Sequence, residues 1–297
     1  MKKILKKFHF SAILALFALV AINGCDQQEA TVSDEILDET AMTENVFAQL
    51  DADVEDALPY DELSSGRFGF GGFGFGFGNC MTRTVERPED ARYPKVVTIN
   101  YDSACTSGMH HTVKNGTIII TINGQPSVEG SQRIVTFENF TVNGYLIEGT
   151  KTITFHGGQQ WTSVLENGKI TTPDGKVITR NAEHTRTQVA GMDTEERSDD
   201  AFEITGWAEG QTAEGYEYRK EIIEPLSLSK DCFWITKGII EVTIGDAVFT
   251  LDFGDGTCDD LAIKTINGES EQIQLEMKCK KMRIHRYRHQ HQNNNGK

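Results

Sequence analysis

Residues 132–155 read QRIVTFENFTVNGYLIEGTKTITF, and this stretch decides the fold class. On both sides of Asn143-Gly144, β-branched and aromatic residues alternate with polar ones, which is the period of two expected of half-buried strands. An Asn-Gly pair suits a type I′ turn, because both central residues of that turn need a positive φ. The stretch therefore predicts an antiparallel hairpin.

The same pattern repeats from residue 80 to residue 278. Further Asn-Gly or Asp-Gly pairs stand at 115–116, 123–124, 167–168, 174–175, 255–256 and 267–268. The predicted strands are 82–86, 95–101, 117–122, 132–140, 145–155, 161–165, 176–189, 202–208, 216–223, 233–244, 248–253 and 273–277. We therefore predict an all-β antiparallel domain of about a dozen strands over residues 80–278, arranged as a sandwich or as a long twisted meander.

Two segments of this domain resemble each other in their cysteine spacing. Cys80 and Cys105 are 25 residues apart, and Cys232 and Cys258 are 26 apart, with a similar strand and turn before the second cysteine of each pair. Four cysteines allow three connectivities. We predict the two local disulfides because they explain the repeated spacing, which leaves Cys279 over.

The start of the chain has the features of a secretory signal. Four lysines precede an apolar run over residues 10–22, which is shorter than the about 20 apolar residues that a membrane-spanning helix needs. The residues Ile22-Asn23-Gly24-Cys25 resemble a bacterial lipobox. The resemblance implies a signal peptide over residues 1–24, lipid attachment at Cys25 and the lipid bilayer as a partner.

An acidic tether is predicted over residues 25–63. It contains thirteen Asp or Glu and no Lys or Arg, and so accounts for most of the net charge of −15. Val46, Leu50, Val54 and Leu58 recur every four residues, which predicts a short amphipathic helix over residues 43–58 that ends at Pro59. We interpret it as a helix lying loosely against its own domain or frayed in solution, rather than as a docking helix for a partner, because isolated helices of this length are marginal in water.

Low-complexity segments flank the β-domain. Residues 64–79 are rich in glycine and phenylalanine and predict a flexible linker, although the exposed aromatic side chains also suit a binding element or an added strand. Residues 279–297 form a basic, His- and Asn-rich tail that we predict to be disordered.

From Cys80 to about Met277 the chain resembles a family of uncharacterised lipoproteins of Bacteroidetes-type bacteria. The resemblance rests on residues 149–154, 168–177, 182–187, 203–206 and 251–258. It implies a secreted β-protein of the cell envelope and brings no reaction with it. Residues 102–105 depart from the Gly-Asp-Gly turn of the family, so a role tied to that turn is not expected in the first cysteine segment.

Two groups of residues suggest metal binding. Asp252, Asp255, Asp259 and Asp260 offer oxygen ligands, but their spacing is not that of an EF-hand, and Asp-Gly is ordinary turn chemistry. The histidines are His110, His111, His285, His289 and His291. Adjacent histidines on a strand point to opposite faces, and the arginines of the tail repel a cation, so we predict no metal site.

Two further groups suggest an enzyme or a sugar-binding site. The titratable group comprises Glu183, His184, Arg186, Asp193, Glu195, Glu196, Asp199 and Asp200, which suits acid and base catalysis if two carboxylates share a cleft. No nucleophile, phosphate-binding or zinc-protease motif accompanies it. Trp161, Trp207 and Trp234 suit a sugar-stacking platform, but their position in strands favours packing roles.

These patterns predict a membrane-anchored lipoprotein of the cell envelope, placed at the outer membrane, with a non-enzymatic binding or structural β-module. The expected ligand is a protein or a polysaccharide, with no cofactor. The acidic charge distribution and the secretory signal argue against nucleic acid. The alternative is a carbohydrate-active or other hydrolytic lipoprotein that uses the carboxylates between residues 183 and 200.

Overall fold

The computed structural model describes Val54 and residues 80–106, 113–157, 159–194, 199–232 and 234–275. Within these ranges the chain forms thirteen strands. They are β1 (Met81–Glu86), β2 (Lys95–Thr106), β3 (Val113–Ile122), β4 (Gln132–Val142), β5 (Tyr145–Phe155), β6 (Gln160–Thr171), β7 (Val177–Ala190), β8 (Ala201–Gln211), β9 (Glu217–Ser229), β10 (Lys237–Ile244), β11 (Ala247–Asp255), β12 (Leu261–Ile266) and β13 (Glu269–Gln274).

All thirteen strands belong to one open antiparallel sheet, and their order in the sheet is their order in the sequence. The predicted all-β class is confirmed, and of the two predicted arrangements the meander is the one adopted. The described ranges hold no helix that is long and apolar enough to cross a membrane. The predicted helix over residues 43–58 lies outside the described residues except for Val54, and the Gly/Phe segment and the basic tail lie outside them entirely.

Asn-Gly pairs serve two purposes in this sheet. Asn143-Gly144 and Asn267-Gly268 have positive φ at both residues and connect β4 to β5 and β12 to β13, as predicted. Asn115-Gly116 and Asn167-Gly168 instead lie inside β3 and β6, where the strand register shifts. A Cβ on Gly116 would lie 2.2 Å from the carbonyl oxygen of Asn139, so glycine lets the two backbones meet at a bulge. The predicted turns at these two positions are therefore wrong.

The predicted strand list needs three further corrections. β12 was not predicted, although its connection to β13 was. β10 begins at Lys237 instead of residue 233, because residues 234–236 still belong to the connection after β9. The last strand covers Glu269–Gln274 instead of residues 273–277.

The two faces of the sheet differ. We call inner face the side that carries Ile120, which lies opposite Val97 and Val135, and outer face the other side. Buried inner-face residues of β2 to β8 form the main hydrophobic cluster; they include Val97, Ile99, Ile118, Ile120, Ile122, Val135, Ile147, Leu165, Ile170, Ile178, Ala182 and Ala208. Smaller clusters continue the core along β8 to β12. The alternation of the sequence is thus the alternation between these faces.

Candidate functional site

A row of threonine and glutamine side chains crosses the outer face. The strand register aligns Gln132, Thr154, Thr162, Thr185 and Thr205, one residue from each of the strands β4 to β8. Gln132 Nε2 donates a hydrogen bond to Thr154 Oγ1 at 3.2 Å, and the hydroxyls of Thr162 and Thr185 lie 2.9 Å apart. The row is therefore an ordered polar surface.

A second row runs beside the first. Gln160 lies opposite Thr187, and its Nε2 donates a hydrogen bond to the Thr187 hydroxyl at 2.9 Å. The ring of His156 meets the Thr162 hydroxyl at 3.0 Å from Nε2. Threonine suits this position because its branched Cβ favours a strand and its hydroxyl both donates and accepts hydrogen bonds.

Trp207 lies at the end of this polar surface. It is half-buried on the outer face of β8, opposite Glu183 of β7 and Glu221 of β9. The guanidinium carbon of Arg219 is 5.3 Å from the centroid of the Trp207 ring, within the range of a cation–π contact. The Trp207 ring thus lies between two carboxylates and contacts the guanidinium of Arg219.

Arg219 is fixed by two carboxylates. Its Nη1 lies 2.7 Å from Glu209 Oε2, and its Nη2 lies 3.1 Å from Glu221 Oε2. The hydrogen bond that Arg219 donates to the Glu221 carboxylate is the main cause that raises the pKa of Arg219 above its usual value. These pairs are exposed and contribute little stability, about 1 kcal/mol or less each. Their effect is to order the side chains around Trp207.

The outer face also carries most of the acidic side chains of the central strands. By register and exposure these include Glu138, Glu166, Glu183, Glu203, Glu209, Glu221 and Glu241. The surface as a whole offers hydroxyls, carboxamides, carboxylates and one tryptophan. Such groups exchange hydrogen bonds with a hydroxylated ligand, and their chemistry requires no metal.

Both predicted disulfides are present in the structure. Cys80 is bonded to Cys105 with the Cα atoms 5.2 Å apart, and Cys232 is bonded to Cys258 with the Cα atoms 5.7 Å apart. The first joins the start of the β1–β2 hairpin to the end of β2. The second joins the connection before β10 to the turn after β11, so each bond closes a segment of neighbouring strands.

The four aspartates of the predicted calcium or turn cluster have local partners. Each carboxylate accepts a hydrogen bond: Asp252 from Gly254 N at 2.9 Å, Asp255 from Thr257 Oγ1 at 2.8 Å, Asp259 from Leu261 N at 3.0 Å and Asp260 from Gln274 Nε2 at 2.8 Å. In the described ranges no set of three or more His, Cys, Asp or Glu side chains is placed to hold a metal ion. These aspartates shape the turns around β11 and β12.

The described members of the group considered for catalysis lie in different surroundings. Glu183 and His184 point to opposite faces of β7, because successive side chains of a strand alternate. Asp200 is buried and accepts a hydrogen bond from Gln188 Nε2 at 2.9 Å, while Asp199 accepts one from the Thr194 hydroxyl. Asp193 is exposed, and Glu195 and Glu196 lie outside the described residues. Glu183 thus lies on the outer face, whereas Asp200 is a buried structural residue.

The three tryptophans do not form one platform either. Trp161 is buried on the inner face, 5.9 Å from the Phe202 ring between centroids, whereas Trp207 lies on the outer face. Trp234 is half-buried in the connection between β9 and β10. Cys25, Cys279 and all five candidate metal-binding histidines lie outside the described residues.

The outer-face surface was not predicted from the sequence. Its signal is the recurrence of threonine at alternate positions of neighbouring strands, as at residues 150, 152 and 154, and at 185 and 187. Comparison of the chain with protein-family models, with curated proteins and with solved structures found no match. The function is therefore argued from the geometry of this surface.

Proposed function

We propose that the chain is a lipid-anchored protein of the bacterial cell envelope whose β-sheet is a non-enzymatic binding module. The binding surface in this proposal is the outer face of β4 to β9, centred on the threonine rows and Trp207. The observation that carries it is the aligned row from Gln132 to Thr205, in which four of the five side chains are ordered by cross-strand hydrogen bonds. Ordered groups lose little conformational entropy when a ligand arrives.

The location rests on the start of the sequence. The lipobox-like residues 22–25 support attachment of lipid at Cys25, and the resemblance to Bacteroidetes-type lipoproteins supports the outer membrane. The two disulfides agree with folding outside the cytoplasm, because the cytoplasm keeps most thiols reduced. A lipid anchor would hold the binding surface near the membrane.

The ligand that this surface suits is an extended polysaccharide. Neighbouring strands lie about 4.8 Å apart, so the row across five strands is roughly 19 Å long, which favours a polymer over a small molecule. A hydroxyl-rich chain can both donate to and accept from threonine, and Glu183 and Glu221 add acceptors for its hydroxyl protons. Trp207 adds apolar contact for the less polar face of a sugar ring.

The arrangement favours binding over hydrolysis. A glycosidase needs two carboxylates about 5 to 9.5 Å apart on either side of one bond. Here Glu183 lies on the open outer face, while Asp200 is buried in contact with Lys230. An open depression lined by Arg87, Asp90 and Lys95 lies near β1, several strands from Glu183.

Polysaccharide binding is tested with the unlipidated mature chain in pull-downs on insoluble polysaccharides and peptidoglycan, and on a glycan array. The variants are Trp207→Ala and the pair Thr162→Val with Thr185→Val, which removes the hydroxyls but keeps the β-branched shape. Thr265→Val is the matched control, because Thr265 forms a similar hydroxyl pair with Ser270, 2.8 Å away on β12 and β13.

We expect affinity for the bound polysaccharide to fall about tenfold or more in both outer-face variants, which corresponds to at least about 1.4 kcal/mol. The control should bind like the unmodified protein. Absence of binding to every glycan, or equal binding by all variants, would overturn the proposal. Capture of a protein ligand that depends on Trp207 would assign the same surface to a different class of partner.

A further inference from the structure

The inner face of the sheet is more deeply buried than one layer of strands can explain. Ile118 and Ile120 are 0% exposed in the middle of this face. In the described ranges, the strand pairs with extensive contacts are all neighbours in the sequence. A sheet with one apolar face needs a second layer packed against that face.

Val54 packs with the buried residues of this face although it precedes the first strand by more than twenty residues. It has helical backbone geometry, is 3% exposed and belongs to the same hydrophobic cluster as Ile118 and Ile120. In the sequence it stands within the acidic segment and within the predicted amphipathic helix over residues 43–58. Its burial identifies that segment as the candidate for the second layer.

The inner face carries cations as well as apolar side chains. Lys95, Lys114, Arg133 and Arg180 are buried, and Lys151 and Lys220 are half-buried. The strand register places Lys151 opposite Val135 and Leu165, in the centre of the main cluster. The outer face of the same strands carries more glutamates than cations, so it is mainly acidic and the inner face mainly basic.

Two of these cations lie over aromatic rings. Lys114 Nζ is 5.5 Å from the centroid of the Tyr101 ring, and Arg133 Cζ is 5.0 Å from that of Phe155. Burying a cation is unfavourable unless an anion and hydrogen-bond acceptors compensate it. A layer that carries both apolar side chains and carboxylates therefore suits this face.

Residues 43–58 have this composition. Val46, Leu50, Val54 and Leu58 recur every four residues, and Glu44, Asp51, Asp53, Glu55 and Asp56 supply carboxylates with no Lys or Arg among them. We infer that this segment is the second layer of the fold: an amphipathic helix docked on the inner face of β2 to β9, with its apolar side on the hydrophobic cluster and its carboxylates facing the cations.

Docking changes the role of the Gly/Phe segment and of the acidic tether. Residues 64–79 become a connection that returns the chain from the helix to β1, instead of a spacer to the membrane. The free linker after Cys25 shrinks from residues 26–79 to residues 26–42. For a flexible chain this shortens the mean reach from roughly 40 Å to roughly 23 Å.

The inference is tested by hydrogen exchange of the full mature chain, read by mass spectrometry. One variant neutralises Asp51, Asp53, Glu55 and Asp56 to their amides. The matched control neutralises Asp34, Glu35, Asp38 and Glu39, which are equal in number and lie before the helix. We expect amides of residues 43–58 to be protected in the unmodified protein and in the control, and to exchange about tenfold faster or more in the first variant.

A second pair of variants changes residues of the sheet instead of residues of the helix. Lys151→Gln on the inner face should accelerate exchange of residues 43–58, whereas Lys169→Gln on the outer face should not. Protected amides in β5 and β6 show that each variant is folded. The double variant Thr162→Val with Thr185→Val should leave the protection of residues 43–58 unchanged. This result separates the inference from polysaccharide binding.

Three results would overturn the inference. Exchange of residues 43–58 at unfolded rates in the unmodified protein would exclude docking. Protection that neither Lys151→Gln nor neutralisation of the carboxylates changes would exclude the charged contacts. Protection that rises with protein concentration would show that a second copy supplies the helix.

Discussion

Lys230 Nζ lies 3.1 Å from the carboxylate of Asp200, and both side chains are largely buried, with exposed fractions of 16% and 5%. Asp200 also accepts a hydrogen bond from Gln188 Nε2, and its carbonyl accepts one from the Lys230 backbone N–H at 3.0 Å. Asp200 directly precedes β8 and Lys230 directly follows β9. The pair therefore fixes one end of three neighbouring strands. Asp200, which the sequence suggests for catalysis, thus has a structural role.

Loss of one member of this pair should destabilise the fold. Lys230→Met keeps the length of the side chain and leaves a buried carboxylate without its ammonium partner, so we expect a loss of about 3 kcal/mol or more. Lys176→Met is the control, because Lys176 pairs with Glu214 at the surface, and its loss should cost about 1 kcal/mol or less. Urea unfolding with unchanged m-values measures both, and equal losses would contradict the prediction.

The two disulfides should act independently. Replacing both Cys232 and Cys258 by alanine should lower the free energy of unfolding by about 2 to 5 kcal/mol and leave the Cys80–Cys105 bond in place. Peptide mapping without reduction checks the connectivity, and unfolding measures the loss. A recovered link between Cys80 and Cys258 would show the local pairing to be wrong.

Gly206 should tolerate no side chain. Its φ is +133°, and a Cβ would lie 2.0 Å from the carbonyl oxygen of Glu183 on the neighbouring strand. Gly175 is the control, because its φ is also positive but nothing lies within 4 Å of the added Cβ. Gly175→Ala should cost about 1–2 kcal/mol for its backbone conformation alone. Gly206→Ala should cost clearly more and should weaken polysaccharide binding by moving Trp207; equal costs would argue against the steric cause.

The turn after β11 should be sensitive to acid. Hydrogen bonds from Thr257 lower the pKa of the Asp255 carboxyl below its usual value. Because the pKa of Asp255 is lowered in the folded state, its ionised carboxylate stabilises the fold at pH values above the unfolded pKa. This stabilisation is lost as pH falls through the folded pKa. NMR titration should show the low pKa of Asp255, and Thr257→Val should raise it. The pKa of Asp174, lowered by Thr172, should stay unchanged and serves as the internal control.

Lipid attachment should depend on one cysteine. Cys25→Ala should abolish incorporation of an alkyne fatty acid and leave an unprocessed precursor or a released soluble form. Cys279→Ala is the control and should be labelled like the unmodified protein. Equal labelling of the Cys25→Ala variant would end the lipoprotein proposal.

The sequence predicts the class of this fold because each hairpin is encoded locally. The alternation of residues 132–155 and the Asn143-Gly144 turn appear in the structure as β4, β5 and their connection. Asn115-Gly116 and Asn167-Gly168 mislead, because a bulge needs the same positive φ as a turn. Only the neighbouring strand decides between the two. β12 was missed because Leu261–Ile266 is short and follows a run of turn residues.

The candidate surface is harder to predict than the fold. Trp161 and Trp207 both lie in predicted strands, yet one is buried and the other faces outward. Which side of a strand is covered depends on register and on every bulge before it, and one shift exchanges the two faces. The disulfide pairs were predictable because each bond joins two cysteines of the same short segment, 25 or 26 residues apart.

The order of the strands has a consequence for the way such a chain is made. In this sheet each strand pairs with the strand just before it in the sequence, so no strand needs a partner that is far away in the sequence. A polypeptide that leaves a narrow export channel from its N-terminus can thus add one strand at a time to a growing edge. The Cys80–Cys105 bond can close when only the first two strands have emerged, while the remaining eleven are still in transit.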